Sequence, residues 1–169
     1  MENIKVREIT QNEVEAGRSF LFEMVEDLFN KKRDEKIHSD IYNLEEFYLH
    51  TKDHILLGAF DKDENIIGTI ALKTFINRFK AIETRYDVKT AEVGRCYVRE
   101  SFRRKGIGKL LFDQAVESSH KLGYKMLYLH THPHLPGGFD FWLKSGFEVV
   151  LVEEENIPTI HMELPLTNI

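Results

Sequence analysis

Residues Arg103-Arg104-Lys105-Gly106-Ile107-Gly108 constrain this chain more than any other stretch, because a basic, glycine-bearing turn there joins a strand to a helix. Upstream, Ala91 to Val98 is an apolar, β-rich run. Downstream, Ile107, Leu110, Leu111, Ala115 and Leu122 recur on one helical face, and Lys121-Leu122-Gly123 supplies a stop. Amides in the first turn of a helix have no preceding carbonyl to bind, and the aligned peptide dipoles place about half a positive charge there. Gly106 and Gly108 remove side chains that would hold an anion away from those amides. Arg103, Arg104, Lys105 and Lys109 add formal charge, so that Arg99 to Lys109 carries five bases and one acid. A diphosphate suits such a turn; the plain alternative is a solvated basic cap. A Walker loop would need Gly-x4-Gly-Lys-Ser/Thr, and a dinucleotide fingerprint would need a third glycine where Leu111 stands.

The rest of the chain reads as α/β, in one domain over residues 1–169. Ile4 to Ile9 predicts a first strand, and Thr10 with Glu13 three residues later predicts a helix start. Helical spacing then holds from Val14 to Phe29 through Phe20, Leu21, Met24, Val25, Leu28 and Phe29, and more weakly from Ile41 to His50. Ile55–Phe60 and Ile66–Phe75 predict a hairpin about the polar turn 61–65, and Asn77 to Thr90 has no clear period. Lys125–His130 predicts a strand, 132–138 a loop, Phe139–Lys144 a short helix, and Phe147–Val152 and Thr159–Leu164 two final strands. The expected architecture is a mixed, mostly antiparallel central sheet flanked by helices.

Composition excludes several classes of function. A net charge of −5 and a pI near 5.9 argue against nucleic acid as the main partner. No run approaches the roughly 20 apolar residues of a membrane helix. Cys96 is the single cysteine, which rules out an internal disulfide and a thiolate-rich zinc site. Met1 to Lys5 lacks the apolar core of a secretory signal, so the expected compartment is the reducing cytoplasm. Oligomeric state is open, a homodimer included.

These residues resemble the GNAT superfamily of N-acetyltransferases. Its signature, Arg/Gln-x-x-Gly-x-Gly/Ala after the fourth strand, is matched by Arg103-x-x-Gly106-x-Gly108, with Ala91 to Val98 as that strand. Phe141-Trp142-Leu143-Lys144-Ser145-Gly146-Phe147 resembles the family's Leu-Tyr-x-Lys-x-Gly-Phe ending. The resemblance implies splayed fourth and fifth strands that admit acetyl-CoA as co-substrate, with no metal. Backbone groups of Cys96, Tyr97 and Val98 would bind the pantetheine arm, and the amides of Arg104, Lys105, Gly106, Ile107, Gly108 and Lys109 the pyrophosphate. The acetyl group would pass directly to the primary amine of a small-molecule or amino-acid-like acceptor in a ternary complex. The alternative is a non-catalytic acyl-CoA-binding sensor or regulatory module.

For the chemistry, Glu92 is the candidate base; its other readings are a strand-surface carboxylate or an anchor for the substrate ammonium. The family's tyrosine position holds Trp142, whose indole is no useful acid but can pack beside the pantetheine arm. Tyr97, Tyr128 or water are then the candidates for protonating the leaving thiolate. His130, His132 and His134 alternate, so an extended backbone puts them on one face, as pocket residues, a metal set or plain loop residues. Cys96 reads as a small buried residue, not an acyl carrier.

Overall fold

The computed structural model describes residues 3–30, 32–76, 79–82, 85–135 and 138–168. Its elements are β1 (Lys5–Glu8), α1 (Val14–Phe29), α2 (Ser39–Tyr42), β2 (Ile55–Phe60), β3 (Ile66–Thr74), β4 (Thr90–Val98), α3 (Ile107–Lys121), β5 (Met126–Thr131), α4 (Gly138–Lys144), β6 (Glu148–Glu153) and β7 (Thr159–Pro165). The strands form one mixed sheet in the order β1-β2-β3-β4-β5-β7-β6. Among the described residues, no helix is long and apolar enough to cross a membrane.

Two expectations need correction. The weak helix expected over Ile41–His50 is instead the short α2 followed by a widened, π-type turn over Glu45–Leu49. The backbone ladder runs on through Asn43, whose N–H donates to the Ser39 carbonyl at 2.9 Å and whose carbonyl accepts from Phe47 N–H at 2.8 Å, and it widens where His50 N–H reaches back five residues to the Glu45 carbonyl at 3.1 Å. On α3, Leu110 is 38% exposed, not part of the core, while Phe112 is buried. The buried stripe runs through Ile107, Leu111 and Ala115 to Ser118 and Ser119, and Leu110 falls off its edge. Residues 77, 78, 83 and 84 of the irregular stretch, and 136 and 137 of the loop, lie outside the described residues.

The chain divides into two compact units, residues 1–73 with 94–115 and residues 74–93 with 116–169. β4 runs through both. In the first unit, α1 buries Phe20, Leu21, Met24 and Val25 with Ile41, Leu44 and Tyr48 against Leu56, Phe60 and Ala71 of the hairpin. The Thr10 amide donates to Glu13 Oε1 at 3.0 Å, so the predicted helix start is made by that reciprocal cap. On the other face of β3, a Cβ at Gly68 would stand 3.0 Å from the Tyr97 carbonyl oxygen and 3.1 Å from Leu111 Cδ1. Only glycine lets α3 begin that close to the sheet.

In the second unit, β4 pairs in parallel with β5 over Thr90–Glu92 and Met126–Tyr128. β7 pairs antiparallel with β5 on one side and β6 on the other. Paired residues share a face and every second residue returns to it, so Glu92, Tyr128, His130, His161 and Glu163 all stand on one face. Leu127, Leu129, Ile160, Met162 and Leu164 fill the core on the other.

Candidate functional site

The second half of β4 is bent by one extra residue. Phe75 N–H donates to the Thr90 carbonyl at 2.9 Å, and Arg99 N–H to the Ile67 carbonyl at 2.9 Å. Nine residue steps from Thr90 to Arg99 therefore face eight from Ile67 to Phe75, which makes a β-bulge. Arg95 absorbs it at φ 48°, a left-handed conformation costing a non-glycine residue about 1–2 kcal/mol. Side chains hold it there. Thr69 Oγ1 donates to the Arg95 carbonyl at 2.8 Å. The guanidinium forks onto buried Asp40, Nε to Oδ2 at 2.9 Å and Nη2 to Oδ1 at 2.7 Å, and the Tyr48 hydroxyl donates to the same carboxylate. Burial alone would push the Asp40 carboxyl up, but the hydrogen bonds and charge of Arg95 outweigh it and hold its pKa below the ordinary carboxylate value.

From Gly94 to Val98 every residue is half-exposed, without the in–out alternation of a covered strand. The ladder to β5 covers Thr90–Glu92, and Cys96, Tyr97 and Val98 lie beyond it. Burial pushes the Cys96 thiol up to about 12, so it supplies no thiolate nucleophile. Burial also raises the Tyr97 hydroxyl above its ordinary value, and Arg95 Nη1 donates to its oxygen at 3.4 Å.

The basic turn follows. Arg103 Nε donates back to the Val98 carbonyl at 2.9 Å, tying the turn to the strand end. Arg104 at φ 60° and Gly106 at φ 81° then reverse the chain into α3. Leu110 N–H donates to the Gly106 carbonyl at 3.1 Å, which leaves the amides of Ile107, Gly108 and Lys109 as the unladdered first turn. Buried Ile107 and Leu111 anchor the helix while Arg103, Arg104, Lys105 and Gly106 are exposed. Lys109 is paired with Asp113 at 2.6 Å, which reduces what it can give an anion. The sequence-predicted cradle residues are thus neighbours in one turn of amides and cations, exposed from Arg103 to Gly106.

A second cluster sits in the other unit. Glu92 is buried, and His130 Nδ1 lies 3.7 Å from its Oε2. Fully buried Tyr128 and His161 are linked at 2.7 Å between hydroxyl and Nδ1, and His161 Nε2 reaches Glu153 Oε1 at 2.6 Å. A carboxylate only accepts, so Nε2 carries the imidazole proton, Nδ1 accepts, and the Tyr128 hydroxyl is the donor to it. His132 Nδ1 donates to the Pro158 carbonyl at 3.0 Å. The rings of His130, His132 and His134 follow one another at 6.1 and 5.7 Å, although β5 ends at Thr131 and His134 lies in a turn and not on an extended backbone. Among the described residues, no group of three or more His, Cys, Asp or Glu side chains is arranged to hold a metal ion. Trp142 on α4 is buried edge-on between Phe141 and Phe147.

Asp40, Glu153 and His161 are the participants that sequence reasoning missed. Asp40 lies 55 residues from Arg95, and His161 lies 33 from Tyr128. No local spacing marks such pairs; the packing of α2 brings Asp40 to Arg95, and strand register brings His161 near Tyr128.

A model of the acetyltransferase (GNAT) family matches residues 20–147. The chain is 34% identical over 97 residues to a spermidine N(1)-acetyltransferase of Thermoplasma acidophilum, covering 57% of this chain and 52% of that one. It is 32% identical over 104 residues to a Bacillus subtilis protein provisionally named a phosphinothricin acetyltransferase, covering 62% and 60%. The chain therefore spans just over half to three fifths of the length of these curated relatives. Among solved structures, a GNAT-family acetyltransferase of Staphylococcus aureus superposes with a TM-score of 0.76 at 21% identity, covering 96% of this chain and 99% of that one. An N-acetyltransferase of Thermoplasma acidophilum in complex with coenzyme A superposes at 0.69 with 24% identity, covering 96% and 99%. At these identities the superpositions establish the fold. With the family model spanning most of its length, the chain belongs to the acetyltransferase (GNAT) family.

Proposed function

We propose that this chain, acting as one cytoplasmic acetyltransferase domain, moves an acetyl group from acetyl-CoA to the primary amine of a small molecule in a ternary complex. The observation that carries this reading is the cradle, where Gly106 at φ 81° opens an exposed turn of amides and cations at the start of α3. Arg103, Arg104 and the first-turn amides would hold the pyrophosphate, and the half-exposed backbone of Cys96 to Val98 the pantetheine arm. Acetyl-CoA supplies an acyl group already activated as a thioester. The relative named for spermidine acetylation and the solved N-acetyltransferase that holds coenzyme A support amine and cofactor respectively.

An ammonium must lose a proton before its nitrogen can attack. Glu92 places a buried carboxylate on β4 for that purpose. Tyr128 is committed to His161 and is poorly set to protonate a departing thiolate. Tyr97 accepts from Arg95 and keeps its own O–H to give, so it is the better candidate, with water as the alternative. Trp142, packed where the family motif carries tyrosine, favours the second reading, a module that binds acyl-CoA without transferring it.

Calorimetry with CoA and a thiol-release assay across primary amines separate the two readings. Gly106→Val, which forces a β-branched residue into positive φ, is expected to weaken CoA binding by about 100-fold while the chain stays folded, its melting temperature lower by only about 2–10 °C. Unchanged affinity would remove the cradle from the binding site. Binding of CoA without thiol release from any amine would favour the module.

A further inference from the structure

Glu92 and His130 divide a property that a base must unite. The Glu92 side chain is 4% exposed, whereas His130 beside it is 27% exposed. A group that touches an amine must be reachable, and a group that bears the resulting charge is best supported by an opposite one. We propose that His130 takes the ammonium proton and that Glu92 is the carboxylate that orients and stabilises it. This rests on the acetyl-transfer reading and deepens it.

The geometry sets each nitrogen's task. Nδ1 of His130 faces the Glu92 carboxylate, which can only accept, so the neutral ring keeps its proton on Nδ1 and its lone pair on Nε2. In the step, one N–H bond of the ammonium breaks and its electron pair stays on the amine nitrogen. The proton binds Nε2, and the imidazolium formed is paired with Glu92 until water removes the proton. The 3.7 Å separation is ion-pair range, and such pairs commonly tighten once substrate is bound. The ring of Phe79, with its centroid 4.9 Å from that of His130, limits how the imidazole can turn.

The neighbouring groups do not take over this role. Among the described residues, the titratable groups facing His130 include Glu92 on β4, Tyr128 and His132 on β5, and His161 on β7 with Glu153 behind it. His161 has both nitrogens occupied, by Tyr128 and Glu153. His132 turns its Nδ1 to the neutral Pro158 carbonyl and not to a carboxylate that would support an imidazolium.

The test uses the whole chain with acetyl-CoA and a panel of primary amines that includes spermidine. His130→Gln is expected to lower kcat by about 100-fold, leave the KM for acetyl-CoA unchanged, and remove the acidic limb of the pH profile. His130→Asn repeats the measurement in a smaller side chain. Glu92→Gln is expected to lower kcat by about 10-fold and keep the limb, moved to lower pH because the imidazolium has lost its partner. Without any acceptor, the NMR titration midpoint of His130 should move to lower pH in Glu92→Gln. Wild-type kcat and profile in both His130 variants, with the limb lost in Glu92→Gln, would overturn the proposal and make Glu92 the direct base. An unmoved NMR midpoint would overturn the pairing. Failure of the wild-type chain to acetylate any amine would instead sink the transfer reading, and this inference with it.

Discussion

The two halves of β4 do different work by different means. Thr90 to Val93 is buried, and its contribution is a side chain, Glu92, set among partners from β5 and β7. Gly94 to Val98 is half-exposed, and it offers backbone in front of a turn that also offers backbone. The one-residue bulge at Arg95 lies where the two behaviours meet. A regular strand would have continued the alternation of faces through Val98. The bulge breaks that alternation, and the Arg95–Asp40 pair keeps the break in place. A single strand can thus hold buried acid–base chemistry at one end and an open edge at the other.

The sharpest way to break this contrast is Asp40→Ala. It strands the Arg95 guanidinium in a buried position, and urea denaturation is expected to show a loss of about 3–5 kcal/mol. Asp40→Asn, measured against pH, reads the charge alone. The folded-state pKa of Asp40 is depressed, so its contribution is full above the ordinary carboxylate value of about 4 and is lost as pH falls through the lower folded value. Wild-type stability should therefore fall more steeply below about pH 4 than that of Asp40→Asn. Equal slopes would show that the pair does not hold the bulge.

Tyr128→Phe probes the other half of the strand with a smaller effect. It leaves His161 Nδ1 buried without its donor, for an expected cost of about 1–2 kcal/mol, and CoA affinity measured by calorimetry should not change. A change in CoA affinity would mean that the two halves are not separate in function. The smallest effect is expected from Lys109→Ala. Because Lys109 is engaged with Asp113, CoA affinity should fall by less than about threefold, against a larger loss for Arg103→Ala. A reversed order would place the charge that matters on the helix and not in the turn.

Much of the fold is legible in the residues, and the reason is local. The unbroken apolar run Ile55–Phe60 and helical spacing in Val14–Phe29 are short-range patterns, and the observed elements follow them. The cradle is equally local, since Arg103 to Lys109 carries its charge, its glycines and its helix start within seven residues. The stretch after Ile41 keeps its helical bonds but widens to a five-residue bond between His50 and Glu45, a change of pitch that no local pattern marks. Trp142 could be found by its motif, but its burial between two phenylalanines could not.

By itself, then, the sequence determined the order of elements, the basic, glycine-bearing turn and Glu92 as a residue to watch. Only the tertiary structure decided that Arg95 bends β4 under the hold of Asp40, that the Tyr128 hydroxyl is hydrogen-bonded to His161, and that His130 is the more exposed neighbour of Glu92. The physical reason is range. Periodicity and turn chemistry act over a few residues, whereas these pairings are made by strand register and burial between residues tens of positions apart.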